Sequence, residues 1–257
     1  MPVPTADSFA ALARSSPWRW STLRFALRRG VDGGGPDHVR AWLRRPDQLR
    51  VETLHGELLQ IVREAPRYAG VPLFETGSPA PPPSSLSPDE PVRRADGLIA
   101  ERDAGSFHDA PMYQDYRWIA MLDPVELADG RDDDTGEPAS PSLVVDDVTA
   151  VEHAGRPAWE AVVRPTPYYE PRCGCCPLLR TRAIDLLEFA DWPDYVLPVY
   201  PDAYRVRLDV GTGVCVATEE IGGLTPGRGH DLRIEAVDEP MDDALFAQPR
   251  RGLFRRR

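Results

Sequence analysis

The stretch from Val39 to Val62 constrains the fold most, because apolar and charged residues alternate there with a period of two across two turn signals. That period is the geometry of a half-buried strand, and a one-residue slip would turn every apolar side chain into water. With Arg45-Pro46-Asp47 as the first turn, Leu43 faces Leu49, Ala41 faces Val51 and Val39 faces Thr53 on one side, while Arg40 opposes Glu52 on the other. This register gives an apolar face and a favourable charge pair together. His55-Gly56 then returns the chain through Leu58 and Val62, and upstream Leu23, Phe25 and Leu27 alternate with Arg24, Ala26 and Arg28 as a further strand.

The C-terminal part repeats the pattern. Tyr204, Val206, Leu208 and Val210 alternate with Arg205, Arg207 and Asp209, and the turn Asp209 to Gly213 sets Leu208 against Val214 and Val206 against Val216. Leu232, Ile234 and Ala236 supply a later strand, with shorter candidates at Leu143–Val145 and Trp159–Val163. Helical spacing is confined to Asp7–Ala13, capped by Thr5 or Asp7, to Tyr113–Ala128, interrupted at Pro124, and to Thr181–Ala190, which puts Ala183, Ile184 and Leu187 on one side. The expectation is an α+β fold: an open antiparallel sheet with one wet face and one apolar face covered by helices.

A chain of 257 residues that is 42% hydrophobic can bury roughly 70–75% of its unfolded surface. One domain is expected over residues 1–248, with a Pro-rich loop at 77–91 and a basic, disordered tail at 249–257. An acidic surface loop is expected at Ala128–Pro141. The formal charge of -11 disfavours nucleic acid as a partner. There is no Lys and no Asn, which removes Schiff-base and phosphate-loop lysines and N-glycosylation. The first residues lack an apolar signal segment, so a cytoplasmic location with reduced thiols is expected. The tail Arg250–Arg257 sets five Arg beside Leu253 and Phe254, which allows weak contact with an anionic membrane surface as an alternative to a solvated terminus.

Five stretches resemble the lipoprotein-carrier (LolA-like) family and the related N-terminal sensor domain of periplasmic sigma-factor regulators (RseB-like). They are the Arg-rich meander Val39–Val62, Gly155-Arg156-Pro157-Ala158-Trp159-Glu160, the turn Leu208-Asp209 to Thr212-Gly213, the strand that follows it to Glu219, and Glu239-Pro240 to Asp242-Asp243 and Phe246. The resemblance implies a β half-barrel whose concave apolar face, covered by helices, holds acyl chains or another apolar ligand, and it implies no enzymatic activity. The matched residues Gly155, Asp209, Thr212 and Gly213 are turn positions, so what carries over to them is structural. On this reading Leu23, Phe25, Leu27, Trp42, Trp118, Leu122, Trp159, Val206 and Leu208 line the ligand site, with ordinary core packing as the competing account of each. Two departures stand out: the carriers are exported, and the run Cys173-Gly174-Cys175-Cys176 is not part of their pattern.

That run puts three thiols within four residues, soft ligands for zinc or copper or partners for disulfide exchange, and Cys215 could complete a set of four. Its spacing is tighter than two Cys-x(2–4)-Cys pairs, so a thiol loop without metal or other cofactor is the baseline, with a cysteine-dependent metal or redox protein as the alternative. The five histidines (His38, His55, His108, His153 and His230) lie at turn-like positions, and no Gly-x-Ser-x-Gly elbow accompanies them. Acidic pairs such as Asp146-Asp147 read as solvated faces, and the Gly33–Gly35 and Gly222–Gly229 loops as hairpin connections. Three functions follow: a non-catalytic binder of an apolar ligand, a cysteine-dependent protein, or an interaction module that fills its concavity with its own helices.

Overall fold

In the computed structural model the described residues are 3–30, 38–63, 91–102, 110–132, 135 and 137–248. Gly33–Gly35, His108, positions 77–90 of the Pro-rich segment and the tail 249–257 lie outside them. The chain forms α1 (Ala6–Ser15), then the meander β1 (Thr22–Arg29), β2 (His38–Arg44), β3 (Gln48–Thr53) and β4 (Leu58–Arg63). Next come a small ribbon of β5 (Val92–Arg93) and β6 (Ile99–Glu101), α2 (Tyr116–Leu122), and a second ribbon of β7 (Gly130–Arg131) and β8 (Pro138–Ala139). The hairpin β9 (Leu143–His153) and β10 (Arg156–Pro165) follows, then α3 (Arg182–Glu188), β11 (Ala203–Asp209), β12 (Cys215–Ile221) and β13 (Gly229–Val237).

Nine strands make one antiparallel sheet in the order β4-β3-β2-β1-β13-β12-β11-β10-β9. Its ends, β4 and β9, do not pair with each other among the described residues, so the sheet is open. The architecture is α+β, as the alternation predicts. The expected β2–β3 register holds at every pair, Leu43 opposite Leu49, Ala41 opposite Val51, Val39 opposite Thr53 and Arg40 opposite Glu52. The ion pairs do not follow the register, however. Glu235 is the extra residue where the β1–β13 register shifts, and it reaches both Arg40, at 3.0 Å, and Arg24, at 3.4 Å. Glu52 is taken by Arg50 of its own strand, Nε to Oε1 at 2.6 Å.

The C-terminal hairpin turns where expected but pairs differently: Val206 faces Thr218 and Leu208 faces Cys215, with a shift in register between them. The cause is a side chain. Asp209 is buried and accepts bonds from the Thr212 amide and hydroxyl at 2.7 and 2.8 Å, and it receives the Arg156 guanidinium at 2.7 and 3.0 Å. That closes a longer loop than a two-residue turn and ties it to the β9–β10 hairpin, whose turn residues Ala154 and Gly155 both have positive φ, the type I′ pattern. Gly213, at φ +74°, permits this loop to touch α1, since a Cβ there would stand 2.7 Å from the Leu12 carbonyl oxygen.

One face of the sheet is apolar and dry. Thr5 caps α1 in a capping box with Ser8, and the helix drives Phe9 and Leu12 into that face. α2 adds Trp118, Met121 and Leu122 and stops before Pro124, which has no amide to continue it. Trp118 packs 5.2 Å from the ring of Phe25 and 5.4 Å from that of Tyr113. The other face is not uniformly wet, contrary to expectation. The segment running into Asp243–Phe246 crosses it, its carbonyls accepting from Arg50 at Leu245 (2.9 Å) and from Arg63 at Phe246 (3.0 Å), and Phe246 is fully buried beneath Arg44.

The sheet also has a seam. β12 and β13 share three residue pairs, 217–231, 218–230 and 219–229, before they diverge. Beyond them two imidazoles donate to strand carbonyls: His230 Nε2 to Cys215 O at 2.8 Å, and His153 Nε2, from the far hairpin, to Leu232 O at 3.1 Å. Burial pushes the His230 imidazole down to about 3, so it is neutral and its Nδ1 accepts from the Thr218 hydroxyl at 2.9 Å. Among the described residues no helix is long and apolar enough to cross a membrane.

Val51→Asp should cost several kcal/mol in urea unfolding, since Val51 is fully buried between Ala41 and Gln60. A double-mutant cycle should find about 0.2–1 kcal/mol of coupling between Arg40 and Glu235 and none between Arg40 and Glu52, despite the latter pair's direct register.

Candidate functional site

Eight of the nine side chains expected to line an apolar ligand site do come together: Leu23, Phe25, Leu27, Trp118, Leu122, Trp159, Val206 and Leu208 belong to one buried cluster. They are packed against the chain's own Phe9, Leu12, Leu178 and Leu179, so the apolar face is filled from within. Trp42 does not join them. It alternates with the buried Ala41 and Leu43 and is paired to Arg24 and Arg50, so the period of two puts it on the charged face. Among the other tryptophans Trp192 is 60% exposed. Two grooves, of about 870 and 780 Å³, are lined largely by charged side chains, the first by Arg205, Arg207, His153 and Asp231 beside the seam.

The chemistry-bearing residues gather in the segment between β10 and β11. Two acids that follow α2 hold it down. Asp123, 1% exposed, receives a bidentate Arg102 at 2.8 and 2.9 Å and Arg172 at 2.9 Å. Burial opposes its ionisation, but the two guanidinium groups outweigh that and hold its carboxyl below the usual aspartate range. Glu126 accepts three bonds: the Tyr169 hydroxyl at 2.6 Å, the Arg172 amide at 3.0 Å and the Leu178 amide at 3.1 Å. Burial, then the neighbouring Glu126 carboxylate, pushes the Tyr169 hydroxyl well up, so it stays a donor. Nothing in the sequence singles out Glu126 among 41 acidic residues, and its role is visible only once Tyr169, Arg172 and Leu178 surround it.

The amides of Arg172 and Leu178 bracket residues 173–177, so one buried carboxylate closes both ends of the cysteine loop. Arg117 fixes the exit side by donating to the carbonyls of Pro177 (2.6 Å) and Leu178 (3.1 Å). On the loop, Cys173 Sγ lies 2.9 Å from Cys175 Sγ, which lies 3.8 Å from Cys176 Sγ. Burial and the neighbouring thiols push Cys176 and Cys175 up, so both are protonated at neutral pH. Cys215 does not complete a set of four: it is fully buried in β12, its Sγ facing the Ala217 carbonyl, and is not one of the three clustered thiols.

α3 departs from expectation. Its buried residue is polar, Asp185, which accepts from Arg180 and from the Tyr200 hydroxyl at 2.6 Å, and Thr181 caps it. That anchoring turns Leu187 outward at 68% exposure, with Leu186, Trp192, Tyr195 and Val199 exposed nearby in the chain, while Ile184 packs against the core.

No family model matches this sequence, and no curated protein matches it. Among solved structures the chain is similar to the crystal structure of MucB, at a TM-score of 0.34 and 15% identity, over 95% of this chain and 62% of that one.

Glu126→Ala should cost about 3–5 kcal/mol, because it strands a buried hydroxyl, the buried Leu178 amide and the half-buried Arg172 amide; urea denaturation measures it. Asp123→Asn tests the other anchor. A depressed carboxylate stabilises the fold above its unfolded value and stops doing so as pH falls through its folded value. The variant should therefore be less stable than the parent at pH 7, with the gap closing once the pH drops below the ordinary aspartate value of about 4.

Proposed function

We propose that the chain is a non-catalytic binding protein, an interaction module on a LolA-like half-barrel, whose binding surface is the segment between β10 and β11 rather than the apolar face of the sheet. The observation that carries this reading is the filling of the apolar face: an acyl chain would have to displace Phe9, Leu12 or Trp118, each at most 1% exposed. What the molecule displays instead is Leu186, Leu187, Trp192, Tyr195 and Val199, large apolar side chains in one short stretch, and aromatic residues of this kind are enriched at protein interfaces. The open sheet with its helices on the apolar face supports the half-barrel description. The setting proposed is cytoplasmic and reducing, where four free cysteines persist.

A saturating long-chain fatty acid should leave the melting temperature unchanged, where a specific ligand at a hundred times its Kd would add about 2.7 kcal/mol. Leu187→Ser with Trp192→Ser should keep stability within about 0.5 kcal/mol, since both side chains are exposed, and should abolish binding of a hydrophobic dye. A rise in melting temperature with fatty acid that Trp118→Ala removes would overturn this proposal in favour of an apolar ligand held by the sheet.

A further inference from the structure

The three clustered thiols have a coordination number written into their surroundings. Their Sγ atoms all lie within 4.8 Å of one another, and among the described residues no histidine, carboxylate or fourth cysteine joins that group. The loop is anchored at both ends. Glu126 fixes its two ends and Arg117 its exit carbonyls, so little chain entropy is left to lose on binding. Three thiolates about 2.3 Å from a central ion stand roughly 4 Å apart. The Cys175–Cys176 separation of 3.8 Å already matches this, and Cys173 has to open from 2.9 Å by about 1 Å, within reach of a side-chain rotation. The Glu188 carboxylate sits against Gly174, where any side chain would collide with it, and adds a negative field beside the thiols.

We infer that Cys173, Cys175 and Cys176 form a three-thiolate site for a soft monovalent cation, copper(I). Thiolates select copper(I), zinc and iron–sulfur clusters over harder ions, and structural zinc closes a tetrahedron with four protein ligands, which this loop does not supply. Copper(I) is satisfied by three sulfurs. Binding forms three Cu–S bonds while three S–H protons leave to solvent, with no change of oxidation state, and the resulting complex carries two negative charges. Cys175 is exposed and the other two thiols half-buried, so the ion reaches the loop without unfolding it.

The full reduced chain, given copper(I) anaerobically in competition with bicinchoninate, should retain one copper per chain by native mass spectrometry. X-ray absorption should show three sulfur neighbours. Cys215→Ala should retain the copper, and the triple variant Cys173→Ser, Cys175→Ser, Cys176→Ser should lose it. Cys175→Ser alone, at an exposed position, should weaken retention at least tenfold without a change in melting temperature, which separates loss of the site from loss of the fold. Failure of the reduced chain to hold copper(I), retention by the triple variant, or tighter binding of zinc(II) with an oxygen as fourth ligand each overturns the inference.

Discussion

A nine-stranded sheet with one largely apolar face must be dried, and the rest of this molecule follows from that requirement. The face presents Leu23, Phe25 and Leu27 of β1, Val51 of β3, and Val206 and Leu208 of β11, all at most 2% exposed. Burying such side chains is worth about 1.5–3 kcal/mol each, so leaving the face open would remove the main force holding the strands in register. The chain answers with its own helices. α1 and α2 cover the face, and Trp118 packs against Phe25 there.

Covering segments bring their polar backbone with them, and buried backbone demands partners. This is why carboxylates and guanidinium groups sit deep in an apolar structure. Asp123 serves Arg102 and Arg172, and Glu126 serves the amides of Arg172 and Leu178. The stretch between β10 and β11 is thereby clamped from below. The same stretch carries the cysteines and the exposed aromatic residues Trp192 and Tyr195.

Much of the sheet was legible in the sequence because strand pairing obeys a single rule. Around Arg45-Pro46-Asp47 the period of two and a tight turn together fixed every β2–β3 partner. The same rule failed at β11–β12, where the Asp209 side chain acts as a second backbone and lengthens the loop, and at Trp42, whose size invited a core assignment that its position in the alternation forbids. α3 misled for a related reason: apolar residues at helical spacing imply a buried stripe only when no buried polar group dictates the helix's orientation, and Asp185 does so here. The cysteine run stood out in the sequence. Its clamp did not, because Glu126, Tyr169, Arg172 and Leu178 are united by tertiary contact alone, and the crossing of the charged face by the segment ending at Phe246 was hidden for the same reason.

The seam between β12 and β13 divides what the strand order counts as one sheet into two leaves. One leaf is β4-β3-β2-β1-β13 and the other β12-β11-β10-β9, joined by three ladder pairs, the turn bonds of Glu220 to Gly227 and Arg228, and two imidazole rings. Main-chain ladders resist shear at every rung, whereas side-chain bonds resist it only at their tips. Along this line the two histidines therefore supplement a short ladder, tying β13 to β12 through Cys215 and to β9 through Leu232.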